Sequence, residues 1–285
     1  MASMMDRRAF VAATTVIAGR IATDRYSIAQ AGPFAGKIKK AVKYHMIQED
    51  LSVTDKFKLL KDLGFDGVEA RVHLSKGVTP QQLLKACDVT GLPIHGVVNS
   101  HNPDIKTAID RAKFYGASSV LVVVPTNAKG SYLENYRKRQ QIIRDAVEYA
   151  EKHEIRLLIE NVWASFLIEP LAFARFIDEL DSPMVGAYFD VGNNVRWGYP
   201  EHWIEVLGKR VVKLDIKEYS RKLQGSQGLR AGFSVELGEG SVDWKRVREE
   251  LAKINYTGWA TAEVKGGDRV RLKDIARRMN DILGL

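Results

Sequence analysis

The sequence predicts an α/β chain that closes as a (β/α)8 TIM barrel over residues 37–285. Three observations predict it. Strand-like and helix-like segments alternate eight times across residues 32–285, at about 32 residues a unit, the size of a strand–helix–strand building block. Such alternation implies parallel strands joined by right-handed crossovers, and eight such units close most naturally as a barrel. The run Ser119-Val-Leu-Val-Val-Val124 is apolar on both faces, as a strand covered on both sides must be. The stretch after the first strand reads Tyr44-His45-Met46, and no GxGxxG or GxxxxGK(S/T) occurs anywhere. The rival architecture, an open doubly wound sheet with a nucleotide site, would want such a glycine-rich turn.

The elements follow in order. Residues 39–44 form a weak first strand. A helix spans 52–63, with Ser52 or Thr54 as its N-cap and Gly64 just past its end. Strand two is 67–70. Thr79-Pro80 opens the second helix, with proline at the favoured first position, and Gly91 closes it. Strand three is 93–98, helix three 103–115 (ended by Gly116) and strand four 119–124. A long charged helix covers 132–153. Strand five (156–161) and strand six (185–193) flank a helix at 170–180. A short helix, 200–207, stops at Gly208, and strand seven is 210–216. Residues 218–237 form a long loop rich in Gly, Arg and Lys, the kind of loop that often serves as a lid. The last elements are a helix at 242–254, strand eight at 258–264 and a helix at 269–283.

Composition narrows the function classes. One cysteine, Cys87, excludes a disulfide framework and a CxxC metal site, and its helical setting makes it a small core residue. The net charge of +8 is spread along the chain and interleaved with acids, as in Arg246-Val-Arg-Glu-Glu250, which argues against nucleic acid as a partner. No segment reaches the ~18 apolar residues of a membrane span. Residues 1–31 read as a twin-arginine-type export signal: Asp6-Arg-Arg-Ala-Phe10, a short apolar run, then Ala29-Gln30-Ala31 as a small-residue cleavage pattern. The expected location is the periplasm.

The chemistry concentrates at strand ends. Strand five ends at Glu160, strand six at Asp190, strand seven at Asp215 and strand eight at Glu263. Alternation puts Glu160 on the face of Leu158, Asp190 on that of Tyr188, and Glu263 on that of Thr261, so all four acids can point into the barrel mouth. Barrel ligands bind at that end. Four converging carboxylates repel strongly unless a cation sits among them, and a divalent metal held by oxygens resolves this most simply.

Gly64-Phe-Asp-Gly-Val-Glu69, Ile159-Glu-Asn161, Phe189-Asp-Val-Gly192, residues 211–217, Gly238-Glu-Gly-Ser-Val-Asp-Trp244 and Ala262-Glu-Val264, in this order, resemble the xylose isomerase-like barrels. The similarity is greatest to the sugar and sugar-phosphate isomerases and epimerases that include ketose 3-epimerases. The resemblance implies one divalent metal, Mn²⁺ first with Mg²⁺ or Co²⁺ as alternatives, held by Glu160, Asp190, Asp215 and Glu263. Those barrels carry His where this chain has Asp215; a carboxylate there favours hard ions. The resemblance also implies that Glu160 and Glu263 move protons through an enediolate. It places a substrate-binding Arg at Arg221, and puts Asn193 where ketose epimerases have His.

Further candidates line the expected mouth. These are His101 with Asn102, His45, Glu69 (contacting substrate or pairing with Arg71), Trp163 and Phe166, Trp197 and Tyr199, and Lys217 with Lys265 as offsets for the acids. Glu239 reads as a loop-structuring residue. The expected function is a metal-dependent sugar isomerase or 3-epimerase acting on a small-molecule sugar. The alternatives are a 3-keto-glycoside lyase and a non-catalytic sugar-binding barrel. A homo-oligomer is compatible with all three.

Overall fold

Eight parallel strands pair in chain order, and β8 returns to β1 to close the barrel. The strands are β1 (Ile38–Lys43), β2 (Gly67–Arg71), β3 (Ile94–Asn99), β4 (Ser119–Val122), β5 (Arg156–Glu160), β6 (Val185–Asp190), β7 (Val211–Ile216) and β8 (Gly258–Ala262). This computed structural model describes residues 32–100, 103–123, 126–162 and 166–285. Residues 1–31, where the sequence suggests an export signal, His101 with Asn102, and Trp163 lie outside the described residues.

The helices are α1 (Val53–Asp62), α2 (Pro80–Thr90), α3 (Ile105–Tyr115), α4 (Tyr132–His153), α5 (Pro170–Asp178), α6 (Pro200–Leu207), α7 (Arg221–Gln227), α8 (Trp244–Lys253) and α9 (Arg269–Leu283). Their starts are set by side chains that satisfy orphan amides. Ser52, not Thr54, caps α1 by accepting from the Asp55 amide. Thr79 with Gln82 and Ser131 with Glu134 form reciprocal capping boxes on α2 and α4. Gly91 and Gly116, both at φ 68°, end α2 and α3 in the left-handed conformation that glycine adopts without strain. No helix among the described residues is long and apolar enough to cross a membrane.

Strand alternation sorts the core into two parts. Leu157, Ile159, Ala187, Phe189, Leu214, Ile216, Ala260 and Ala262 face outward into the main apolar cluster. Their neighbours Leu158 and Tyr188 face inward and pack with Val98 and Leu121 inside the barrel. One continuous hydrophobic strand therefore serves two cores, and the inward set leads up each strand to its terminal acid.

The stretch read as a loop at 218–237 contains α7 and a 3₁₀ turn, Leu229–Phe233. Glu218 organises it. Its buried carboxylate accepts from the amides of Tyr219 (3.1 Å), Gly238 (3.0 Å) and Val242 (3.1 Å) and from Trp244 Nε1 (2.8 Å). A Cβ at Gly240 would lie 2.3 Å from Glu218 Oε1, so the chain passes this carboxylate only as glycine. The structuring role expected of Glu239 thus belongs to Glu218. Glu239 lies on the surface, paired with Arg278 at 2.7 Å, because a Gly-Glu-Gly turn presents its middle side chain to solvent.

Glu218→Ala orphans several buried donors at once, and each bond to a charged acceptor is worth about 1.5–3 kcal/mol. The variant is expected to lose at least ~3 kcal/mol of stability, read from the urea midpoint, and to be cleaved by protease within residues 218–241. A wild-type midpoint and cleavage pattern would refute the role.

Candidate active site

The ends of β5, β6, β7 and β8 bring Glu160, Asp190, Asp215 and Glu263 together. One carboxylate oxygen from each lies within 4.8 Å of all the others. Asp190 and Asp215 are Cα register partners on β6 and β7. Glu263 follows β8 and is the most exposed of the four, at 30 %. Beside it opens a cavity of about 370 Å³, lined by Lys217, Arg230, Phe233, Glu263, Val264 and Lys265, within the range of small-molecule sites.

Each acid is held differently. Asp190 Oδ1 accepts from the amides of Gly192 and Asn193, both at 2.8 Å. Asn161 braces the same strand end, exchanging bonds with the Asp190 amide (2.7 Å) and carbonyl (2.8 Å). Asn193 is the hub: its Nδ2 donates to Glu160 Oε1 at 3.0 Å and its Oδ1 accepts from Lys217 Nζ at 3.0 Å. Lys217 also pairs with Asp190 Oδ2 (2.8 Å) and Glu263 Oε2 (3.0 Å). Lys43, at the end of β1, pairs with Asp215 Oδ2 (2.9 Å) and Glu263 Oε1 (3.2 Å). Burial opposes the charge on Lys43, but the carboxylates of Asp215 and Glu263 outweigh it and hold its pKa high.

These contacts split two chemically identical side chains. Burial, then the charge of Glu263, pushes Glu160 up to about 8. Burial would also raise Glu263, but Lys217 and Lys43 override it and hold that carboxyl well below its ordinary range. One glutamate is set to carry a proton and the other to accept one, a pairing suited to acid–base chemistry.

A second polar layer lies beneath. Tyr188 OH meets Thr261 Oγ1 at 2.8 Å, and Thr261 meets His95 Nε2 at 3.1 Å. Lys213 Nζ reaches His95 Nδ1 (2.9 Å) and donates to the His95 carbonyl (2.7 Å). An ammonium can only donate, so Nδ1 accepts and Nε2–H faces Thr261. Burial and the charges of Lys213 and Lys43 keep His95 neutral. Burial lowers Lys213 to about 8. Glu69 shares this interior, 1 % exposed, and burial raises it.

The structure thus brings Glu160, Asp190, Asp215, Glu263, Asn193 and Lys217 into one cluster, with Glu69 in the barrel interior beside it. Asn193 spends its polar atoms on Glu160, Asp190, Asn161 and Lys217, so it positions the acids. Arg221 does not join them. Its guanidinium binds the carbonyls of Val195 (2.9 Å) and Gly198 and stacks on Tyr199. Glu69 turns inward and leaves Arg71 to His45 (3.1 Å). Phe166 is buried against Tyr132, while Trp197 and Tyr199 are exposed. Lys265 lines the cavity. Cys87 is half-buried, its thiol pushed up to about 11 by burial, as a core residue should be.

Lys43 and the His95–Lys213 pair were not singled out from sequence. The available signal for Lys43 was inward parity at the end of β1, where Lys43 is the register partner of Glu69.

The donor set fits a divalent cation. Two oxygens across an ion with ~2.1 Å bonds stand about 4.2 Å apart, close to the 4.8 Å limit of this cluster. All donors are hard oxygens. Asp215 Oδ1 is buried without a hydrogen-bond partner among the described residues. Once Glu160 gives up its proton, as a metal ligand must, four carboxylates against the two ammonium groups of Lys43 and Lys217 leave a formal charge of −2, which one such ion balances.

Comparison with known proteins bears on the fold and the family. An uncharacterized protein of Methanocaldococcus jannaschii is 27 % identical over 190 residues, 63 % of this chain and 62 % of that one. An inosose dehydratase of Clostridium botulinum is 27 % identical over 130 residues, 41 % and 43 % of the two chains. A putative L-ribulose-5-phosphate 3-epimerase of Escherichia coli is 30 % identical over 114 residues, 40 % and 39 %. The chain thus matches less than two thirds of the length of each of these relatives. A solved D-tagatose 3-epimerase-like protein superposes with a TM-score of 0.69 at 22 % identity, covering 86 % of this chain and 98 % of that one, a likeness of fold. The family model described as "xylose isomerase-like TIM barrel" matches residues 57–282, and the chain belongs to that family.

Proposed function

We propose that the protein is a divalent-metal-dependent sugar isomerase or 3-epimerase in which Glu160 and Glu263 transfer protons. The observation that carries this reading is the cluster itself: two glutamates from β5 and the end of β8, separated round the ring by the aspartates of β6 and β7, with all four donors within 4.8 Å. The sugar epimerases among its relatives and structural neighbours support it.

Glu160, Asp190, Asp215 and Glu263 would hold the cation. When bound, such an ion, Mn²⁺ by preference, polarises a sugar carbonyl and acidifies the adjoining C–H. Glu160 and Glu263 approach that carbon from different sides of the ring of strands. One takes the proton and leaves an enediolate; the other returns a proton to the opposite face. Asn193 fixes Glu160, and Lys43 and Lys217 fix Glu263, so neither carboxylate wanders from the reacting carbon. The cavity beside Glu263 admits the substrate. With the export signal read in residues 1–31, the substrate is an unphosphorylated sugar met in the periplasm.

Metal-loaded protein incubated in D₂O with ketoses, aldoses and 3-keto-glycosides is expected to place deuterium at carbon in a ketose or aldose. Glu160→Gln and Glu263→Gln should each cut that exchange by about 10²–10⁴-fold, as loss of a positioned acid or base does, while the far-ultraviolet circular dichroism stays unchanged. Wild-type exchange by either variant would sink the assignment. Dialysis against EDTA should abolish exchange and Mn²⁺ should restore it; exchange that survives complete metal removal contradicts the metal dependence.

A further inference from the structure

We propose that Lys43 is a built-in counter-ion of the acid cluster, one that holds the metal-free site together and weakens its grip on a divalent cation. The inference rests on the cation-binding reading of the four acids and adds a positioning residue to it.

The geometry is specific. Lys43 stands on β1, whose barrel neighbours are β2 and β8, and its ammonium reaches over β8 to β7. It lies 2.9 Å from Asp215 Oδ2 and 3.2 Å from Glu263 Oε1. Lys43 is 2 % exposed and Asp215 fully buried, so neither charge has water to fall back on. A buried carboxylate is tolerated only when paired. No other cationic side chain among the described residues forms an ion pair with Asp215. Asp190 and Glu263, by contrast, share Lys217. Asp215 therefore depends on Lys43 whenever no metal is bound.

The same contact sets the affinity. Lys43 occupies one oxygen on each of two of the four acids, Asp215 and Glu263, and leaves Asp215 Oδ1 without a hydrogen-bond partner among the described residues. An incoming cation must share those carboxylates with a fixed positive charge a few ångströms away. Without Lys43 the donors would carry −3 rather than −2 after Lys217 is counted, and attraction for a divalent ion rises with ligand charge.

The test uses the full chain, stripped with EDTA and dialysed into metal-free buffer. Mn²⁺ binding is measured by titration calorimetry, and melting temperature with and without Mn²⁺. Lys43→Met is expected to melt several degrees below wild type without metal, to bind Mn²⁺ at least tenfold more tightly, and to gain more from Mn²⁺ in melting temperature than wild type does. Removing both members of the pair in Lys43→Met/Asp215→Asn should recover most of the lost metal-free stability, since no lone buried charge remains. Mn²⁺ affinity equal to wild type in Lys43→Met, or strict additivity in the double variant, overturns the proposal while leaving the metal reading intact. Binding by neither protein overturns both. Binding by Lys43→Met alone upholds the counter-ion and removes the metal from the wild-type mechanism. Should Lys43→Met fold only with Mn²⁺, that supports the proposal, and failure of Mn²⁺ to restore its fold counts against it.

Discussion

Four carboxylates in one water-poor space are the constraint on which this molecule turns. A barrel that points Glu160, Asp190, Asp215 and Glu263 at one another would be forced apart by its own charge if nothing answered it. Two ammonium groups answer in part. Lys217 ties Asp190 to Glu263, and Lys43 ties Glu263 to Asp215. Glu263 is the shared member of both pairs, so the two lysines and three acids form one chain of contacts across β6, β7, β8 and β1. The site is thereby part of what closes the barrel at its top.

Below it, closure is polar as well. Lys213, His95, Thr261 and Tyr188 span β7, β3, β8 and β6 through the interior, and His95 stacks on Trp259 at 4.3 Å. A polar interior is stable only when its groups find partners, and a satisfied network fixes side-chain geometry more tightly than apolar packing does. This layer carries Thr261 and Tyr188, each two residues before an acid of the site. Strand register then transmits that order upward: Asp190 opposite Asp215, and Asp215 opposite Thr261.

The sequence made the barrel and the four acids legible because both depend on period and parity alone. Strand alternation decides which residues face inward, and it decided correctly for Glu160, Asp190, Asp215 and Glu263. Parity says nothing about which charges meet once the sheet is rolled up. Lys43 and Asp215 are 172 residues apart, and only closure of β1 against β8 makes them neighbours. Arg221 was equally out of reach of parity: the resemblance set a substrate-binding Arg there, and α7 turns its guanidinium to the carbonyls of Val195 and Gly198 rather than to the four acids. Glu218 and Glu239 are both acids in one loop; which of them turns inward is settled by the close passage of Gly240.

The four acids are not equivalent, and the difference bears on which can act. Asp190 is fixed by two backbone amides and Lys217, Asp215 by Lys43, Glu263 by both lysines. Glu160 is in no ion pair among those found in the described residues and is held by one amide hydrogen bond from Asn193. A carboxylate anchored by ammonium groups keeps its charge and place; one anchored by a neutral amide can gain or lose a proton without breaking an ion pair. Asn193 is itself held by Lys217, so the charged half of the site sets the position of the neutral half. Any proton gained or lost at Glu160 is in this way coupled by contact, through Asn193 and Lys217, to the cation balance at Glu263. Whatever alters that balance, a bound metal or a lost lysine, acts on both glutamates together.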